Sequence, residues 1–147
     1  MAKRPPIPRP IGYWTAQKLE HLSAYLKAFA IATKSARERY YIDTMAGCGE
    51  CRLKTTGAPT LGSAWRALNV SPPFTGIHLV ELDDSSAEYL RNRIRDHPSV
   101  RVYKGDCNVV VPEQILPNLS TIAPTLAFVD PTGVQVNWSL LIALAGC

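Results

Sequence analysis

What this sequence lacks narrows what it can do. No apolar run approaches the roughly 18 residues that cross a bilayer, so no membrane-spanning helix is expected. The opening stretch, MAKRPPIPRP, is basic and proline-rich with no apolar segment behind it, and a secretory signal is not expected there. Cysteine is sparse, four residues in 147. Without an export signal these read as reduced thiols of a cytoplasmic protein. The three histidines, His21, His78 and His97, are scattered, which leaves no Cys–His or Ser–His–Asp set on which nucleophilic catalysis could be argued. No internal repeat and no low-complexity tract is present.

Basic residues are missing from the whole segment after Lys104. The net charge of +4 therefore hides an asymmetry: 16 Lys and Arg stand against nine acids up to Lys104, for +7, and only Asp106, Glu113 and Asp130 follow, for −3. A basic front portion suits an anionic partner, nucleic acid included. It is also what solvated helix faces such as RNRIRD produce.

With 46% hydrophobic residues, the chain is long enough for one domain with a core. Residues 1–14 read as an arm or extended lead-in and residues 15–147 as the domain. Leu19, Leu22, Leu26 and Phe29 recur at a helical period behind a possible N-cap at Thr15. RYYIDTM reads as a first strand, GIHLVELD as a second, VRVYKGD as a third and PTLAFVDPTG as a fourth. Between them come a long loop (AGCGECRLKTTGAPTL), a helix from GSAWRAL, a helix from SSAEYLRNRIRDH and a proline-interrupted helical segment from Asn108 to Leu119. NWSLLIALAG reads as a last helix. Nearly continuous apolar strands alternating with helices predict an α/β fold, a doubly wound parallel sheet ordered 3-2-1-4. The last helix is very apolar for an element with nothing after it. The expectation is a C-terminally incomplete domain, or one whose edge a partner covers.

In open parallel sheets ligands bind at the carboxyl ends of the strands. Here an acid stands at each of those ends: Asp43, Glu81 with Asp83, Asp106, and Asp130. Each alone is also a fitting turn or helix-cap residue. After the first strand come Ala46, Gly47 and Gly49, a G-x-G loop that lets a backbone approach a ligand closely. The dinucleotide fingerprint needs a third glycine opening a helix, but Arg52 holds that position and the next helix waits until Gly62. A pyrophosphate would have no helix N-terminus to sit on, which argues against NAD or FAD. S-adenosylmethionine, which has no phosphate, fits better. Glu81 can accept from its ribose diol, Asp106 from its adenine amine, and Asp43 can face its ammonium group.

The order YIDTMAGCG, GS before a helix, ELD, GDCN and FVDPTG, behind a helix containing W…K-L…L…Y-L, resembles the three-Cys-motif partner protein family from about Trp14 onward. The resemblance implies a Rossmann-like methyltransferase fold, an S-adenosylmethionine pocket and methyl transfer to an unidentified acceptor. It also implies a companion protein carrying the three-cysteine motif, and family members that are longer than this chain. The implied cofactor-binding positions are Asp43, Ala46, Gly47, Gly49, Glu81, Asp83, Asp106 and Asn108. Asp130 and Pro131 form the implied catalytic turn.

Two places depart from the family's pattern. Cys48 replaces the usual proline between the glycines and with Cys51 makes C-x-x-C, which invites a zinc or redox reading. Ordinary loop thiols and no metal site are the expectation, because a structural zinc wants four ligands and Cys107 belongs to a different strand. In DPTG, Thr132 and Gly133 stand where amino-group methyltransferases of nucleic acids carry a second proline and an aromatic residue. Asp130 could orient a nucleophile there, and DPTG is equally a good type I turn. Trp14, Trp65 and Trp138 read as core or covering residues, and Lys18 as a solvated side chain. A non-catalytic partner that keeps the fold is the alternative to an enzyme.

Overall fold

The structure is a computed structural model and describes residues 5–130 and 136–146. In chain order the elements are β1 (Arg9–Ile11), α1 (Tyr13–Ala32), β2 (Tyr40–Asp43), β3 (Glu50–Leu53), β4 (Pro59–Leu61), α2 (Ser63–Leu68), β5 (Gly76–Glu81), α3 (Asp84–Ile94), β6 (Val100–Lys104), α4 (Cys107–Val110), β7 (Thr125–Phe128) and α5 (Trp138–Ala145). Four apolar segments form an all-parallel sheet ordered β6-β5-β2-β7. The α/β class and the parallel sheet expected from the sequence are what is found.

Side-chain alternation along the strands divides the core in two. Tyr41, Ile77 and Leu79 face one way and pack with Leu19, Leu22 and Leu26 of α1, Ala64 and Ala67 of α2, and Leu90 and Ile94 of α3. Ile42 and Val80 face the other way and meet Cys107 and Val110 of α4, Val111 and Ile115, and Leu140 of α5. Helix α1 shows what holds an element here. Gly12 caps it without a side-chain bond, a loss of roughly a few tenths of a kcal/mol against Ser or Asp. Each buried leucine contributes roughly 1.5–3 kcal/mol, so the stripe outweighs the missing cap. The helix starts at Tyr13, ahead of Thr15.

The proline-interrupted segment behaves as its composition dictates. After α4 the chain widens into a π-helical turn at Val111–Ile115, which holds Pro112, and tightens into a 3-10 turn at Leu116–Asn118, which holds Pro117. Neither proline has an amide to donate.

A second, three-stranded sheet ordered β1-β3-β4 was not expected. The loop after the glycines is a hairpin, β3 antiparallel to β4, turned at Gly57 with φ +68°. Leu53 N–H donates to Ala58 O at 2.9 Å and Gly57 N–H to Leu53 O at 2.8 Å. The lead-in is also structured: Arg9, Pro10 and Ile11 pair in parallel with Cys51, Arg52 and Leu53, and Ile11 is 2% exposed. These strands, RPI, ECRL and PTL, are short and have neither an apolar run nor a clear alternation to be read from sequence. No described helix is long and apolar enough to cross a membrane.

Candidate functional site

The four strand-end acids lie on one edge, because β2, β5, β6 and β7 run parallel and all end there. The site is built on the loop that leaves β2. Thr44 N–H donates to Phe128 O at 3.2 Å, and Ala46 N–H to Val80 O at 2.9 Å. The loop thus crosses the sheet edge from β7 to β5.

Glu81 anchors it. One carboxylate oxygen accepts from Gly47 N–H at 2.7 Å and the other from Asp83 N–H at 2.9 Å. Gly47 is left-handed at φ +65°, and a Cβ there would meet nothing within 4 Å. Gly49 is different. At φ +88° its missing Cβ leaves room for Trp65, whose Nε1 would stand 2.8 Å from that atom. Protein, not ligand, lies against the second glycine.

Asp43 is fully buried beneath the loop. It accepts from the Tyr41 hydroxyl at 3.1 Å and from Met45 N–H at 3.2 Å. Burial raises its pKa to about 6; the hydrogen bonds from Ser63, Met45 and Tyr41 hold it down, and the charge of Glu81 raises it further. A carboxyl with no exposed surface supports the loop from below and offers no direct contact to a ligand.

Asp83 and Asp106 act as helix caps. Asp83 accepts from Ser85 Oγ at 2.7 Å and Ser86 N–H at 2.8 Å, and these hydrogen bonds hold its pKa below the ordinary value. Asp106 caps α4 through Asn108 N–H at 2.9 Å and takes a second bond from Asn108 Nδ2 at 3.0 Å. Asn108 in turn accepts from Asn137 N–H at 2.8 Å, tying the strand-end turn to the start of α5.

On the other flank, Asp130 meets Lys18 of α1, with Nζ 2.7 Å from Oδ1. Pro131 and the rest of DPTG lie outside the described residues. Asp130 helps line a cavity of about 70 Å³ together with the loop residues Ala46, Gly47 and Gly49, and with Arg9 and Ile11 of β1. It also borders a groove of about 430 Å³ between β7 and the Lys18–Leu22–Tyr25 side of α1. Of the four strand-end acids, Asp130 is the one lining both spaces. Lys18, expected to be solvated, is half exposed and paired. It lies four and eight residues before the buried Leu22 and Leu26, on the apolar stripe itself.

The cysteines do not gather. Cys48 and Cys51 line the small cavity, while Cys107 packs on the opposite face of the sheet. Among the described residues no three metal-ligating side chains cluster. Burial, and then the nearby Cys48, push the Cys51 pKa up, the reverse of an activated thiol. Trp65 covers the core as expected, but Trp14 and Trp138 are 77% and 74% exposed. Trp14 stacks edge-on with Tyr13 at 5.7 Å.

Neither a protein-family model nor a curated protein matches the chain. A crystal structure from Legionella pneumophila strain Philadelphia 1, described as a DUF519 protein, matches with TM-score 0.62 and 17% identity, over 87% of this chain and 61% of that one. The chain therefore spans less than two thirds of that protein's length. At this identity the likeness speaks for the fold alone.

Proposed function

We propose that this chain is the cofactor-binding part of an S-adenosylmethionine-dependent methyltransferase with a doubly wound, Rossmann-like sheet, related to the three-Cys-motif partner proteins. The observation that carries the reading is the glycine loop at the switch point between β2 and β7, with Glu81 on one flank and the Lys18–Asp130 pair on the other.

The donor and acceptor set suits this cofactor. Glu81 still has lone pairs for a ribose diol, Gly47 has open space before it, and Asp106 keeps an oxygen for an adenine amine. The cofactor would supply an electrophilic methyl group. Asp130 would accept a hydrogen bond from the acceptor and orient its lone pair, and Lys18 would hold Asp130 in place until then. A cavity of about 70 Å³ is far below the roughly 300 Å³ of small-molecule pockets, so binding requires its wall to move.

The incomplete-domain reading belongs to the same proposal. Among the described residues β7 has no strand on its outer edge, and Trp138 and Ile142 of α5 are exposed. Those features equally favour the second reading, a non-catalytic protein of the cytoplasm that binds its three-cysteine companion through this edge. For an anionic acceptor such as nucleic acid, Lys18, Arg66, Arg93 and Lys104 are the weaker candidates to bind it, because each is paired with an acid.

Calorimetry with S-adenosylhomocysteine and with NAD tests the cofactor. Glu81→Gln should weaken S-adenosylhomocysteine by about 10- to 150-fold, since a hydrogen bond to a charged group contributes roughly 1.5–3 kcal/mol. Equal affinity for both proteins would remove Glu81 from the site. A radiolabelled methyl-transfer screen on cell extracts then separates enzyme from partner. Asp130→Ala should abolish incorporation and leave S-adenosylhomocysteine binding nearly intact, whereas no incorporation by wild type would favour the partner.

A further inference from the structure

The cavity beside the glycine loop has an unusual wall. Loop residues and Asp130 form one side, and Arg9 and Ile11 of β1 form the other. That wall is thinly attached. Among the described residues strand β1 pairs only with β3, over three residues, and is the edge of its small sheet. Pro10 has no amide for the ladder. Arg9 and Pro10 are exposed, so within the strand Ile11 is the one buried anchor. Gly12 joins β1 to α1, and a Cβ there would meet nothing within 4 Å, so packing does not stiffen the joint. The buried Cys48 and the half-buried Cys51 line the same cavity.

We propose that β1 is a lid: it opens about Gly12 as a local unit, while the β3–β4 hairpin and the main sheet stay folded, and its opening admits the ligand to the glycine loop. The identity of the ligand rests on the cofactor reading above; the opening itself does not. A contact this small belongs to the low-stability end of a fold, where segments exchange without global unfolding.

Two neighbouring amides report the motion separately. Lys54 N–H donates to Ile11 O at 2.9 Å across the β1–β3 pair, and Leu53 N–H donates to Ala58 O at 2.9 Å inside the hairpin. In the wild-type chain, hydrogen exchange followed by NMR should show Lys54 exchanging at least about tenfold faster than Leu53, with no response to urea below the unfolding transition. Alkylation by iodoacetamide, resolved by peptide mass spectrometry, gives a second readout. Ile11→Ala should speed labelling of Cys48 by about an order of magnitude, because it removes the one buried anchor, and should leave Cys107, buried on the opposite face, unchanged. Equal exchange at Lys54 and Leu53 with the urea slope of global unfolding overturns the proposal. So does Cys48 labelling indifferent to Ile11→Ala, or Cys48 and Cys107 accelerated alike. A separate arm with S-adenosylhomocysteine bears on the ligand. Protection of Lys54 and Cys48 by it supports both ideas, and lid behaviour without any protection counts against the cofactor reading alone.

Discussion

The two flanks of the glycine loop are built differently, although both lie on the same edge of the same sheet. On the β5 side each group is held by several protein contacts: Asp43 by Tyr41 and Met45, Glu81 by Gly47 and Asp83 with lone pairs to spare, and Gly49 by packing on Trp65. On the β7 side, among the described residues, Asp130 is paired with one lysine, and that lysine is half exposed. The β5 flank fixes the loop's shape, and the β7 flank leaves a carboxylate free to exchange partners. A position at a strand end therefore does not fix a carboxylate's role. What it bonds to does.

The largest effect should come from the committed flank. Gly49→Ala places a Cβ 2.8 Å from Trp65 Nε1 on a backbone at φ +88°. The left-handed conformation alone costs a side chain roughly 1–2 kcal/mol, and displacing Trp65 adds an overpacking cost of about 1–3 kcal/mol. Gly47→Ala, at φ +65° in open space, should bear the conformational cost only. Urea unfolding of the two variants checks this: equal losses would mean that Trp65 yields freely and that the loop is less tightly built than the contacts imply.

The next effect concerns pH and sets the two faces of the sheet against each other. The pKa of Asp43, buried near Tyr41 and Glu81, stands at about 6 against an ordinary 3.8. The native protein keeps a proton that the unfolded chain releases, so as pH rises from 3.8 through 6 stability falls, by up to about 3 kcal/mol. His78 faces the other way. It contacts the Tyr103 hydroxyl at 3.0 Å and the Tyr40 ring, and burial, with the Arg101 charge, lowers its pKa from 6.5 to about 4. There the unfolded chain takes up the extra proton, and stability falls as pH drops from 6.5 to 4. The two contributions oppose each other and flatten the wild-type profile. Asp43→Asn should unmask the histidine, with a urea midpoint that falls on acidification from pH 6.5 to 4.5. His78→Gln should unmask Asp43, with a midpoint that rises over the same range. Parallel profiles for the two variants would show that neither burial has the consequence described.

How much of this could be read beforehand follows from the same physics. The parallel sheet was legible because YYI, IHLV and LAF are apolar on both faces, as strands between two helix layers must be. The small sheet was not, because β1 (RPI), β3 (ECRL) and β4 (PTL) mix charged, polar and proline residues and none is a continuous apolar run. Their residues also match those of ordinary loops. The acids at the strand ends were legible as a set. Their separate roles were not, since Asp83 and Asp106 as helix caps use the same side chain that a ligand would. Lys18 is the half-exposed lysine that its place on the helix suggests, but its pairing with Asp130, 112 residues away, has no sequence signal.

The smallest effect is the one that tests whether the β7 flank is available. The Lys18 and Asp130 side chains are 48% and 21% exposed. An ion pair in that setting contributes about 0–1 kcal/mol, because water screens the attraction and ordering a lysine costs entropy. Lys18→Ala should therefore shift the urea midpoint little, and the shift should shrink further in high salt. Asp130→Asn should behave alike, and the double variant should be no worse than the sum of the two. This weakness is what the proposed chemistry needs, since a carboxylate locked by several kcal/mol could not turn to an incoming acceptor. If Lys18→Ala instead costs more than about 2 kcal/mol, beyond the range of exposed pairs, Asp130 is a structural group like Asp43. The two flanks would then differ only in which protein atoms they hold.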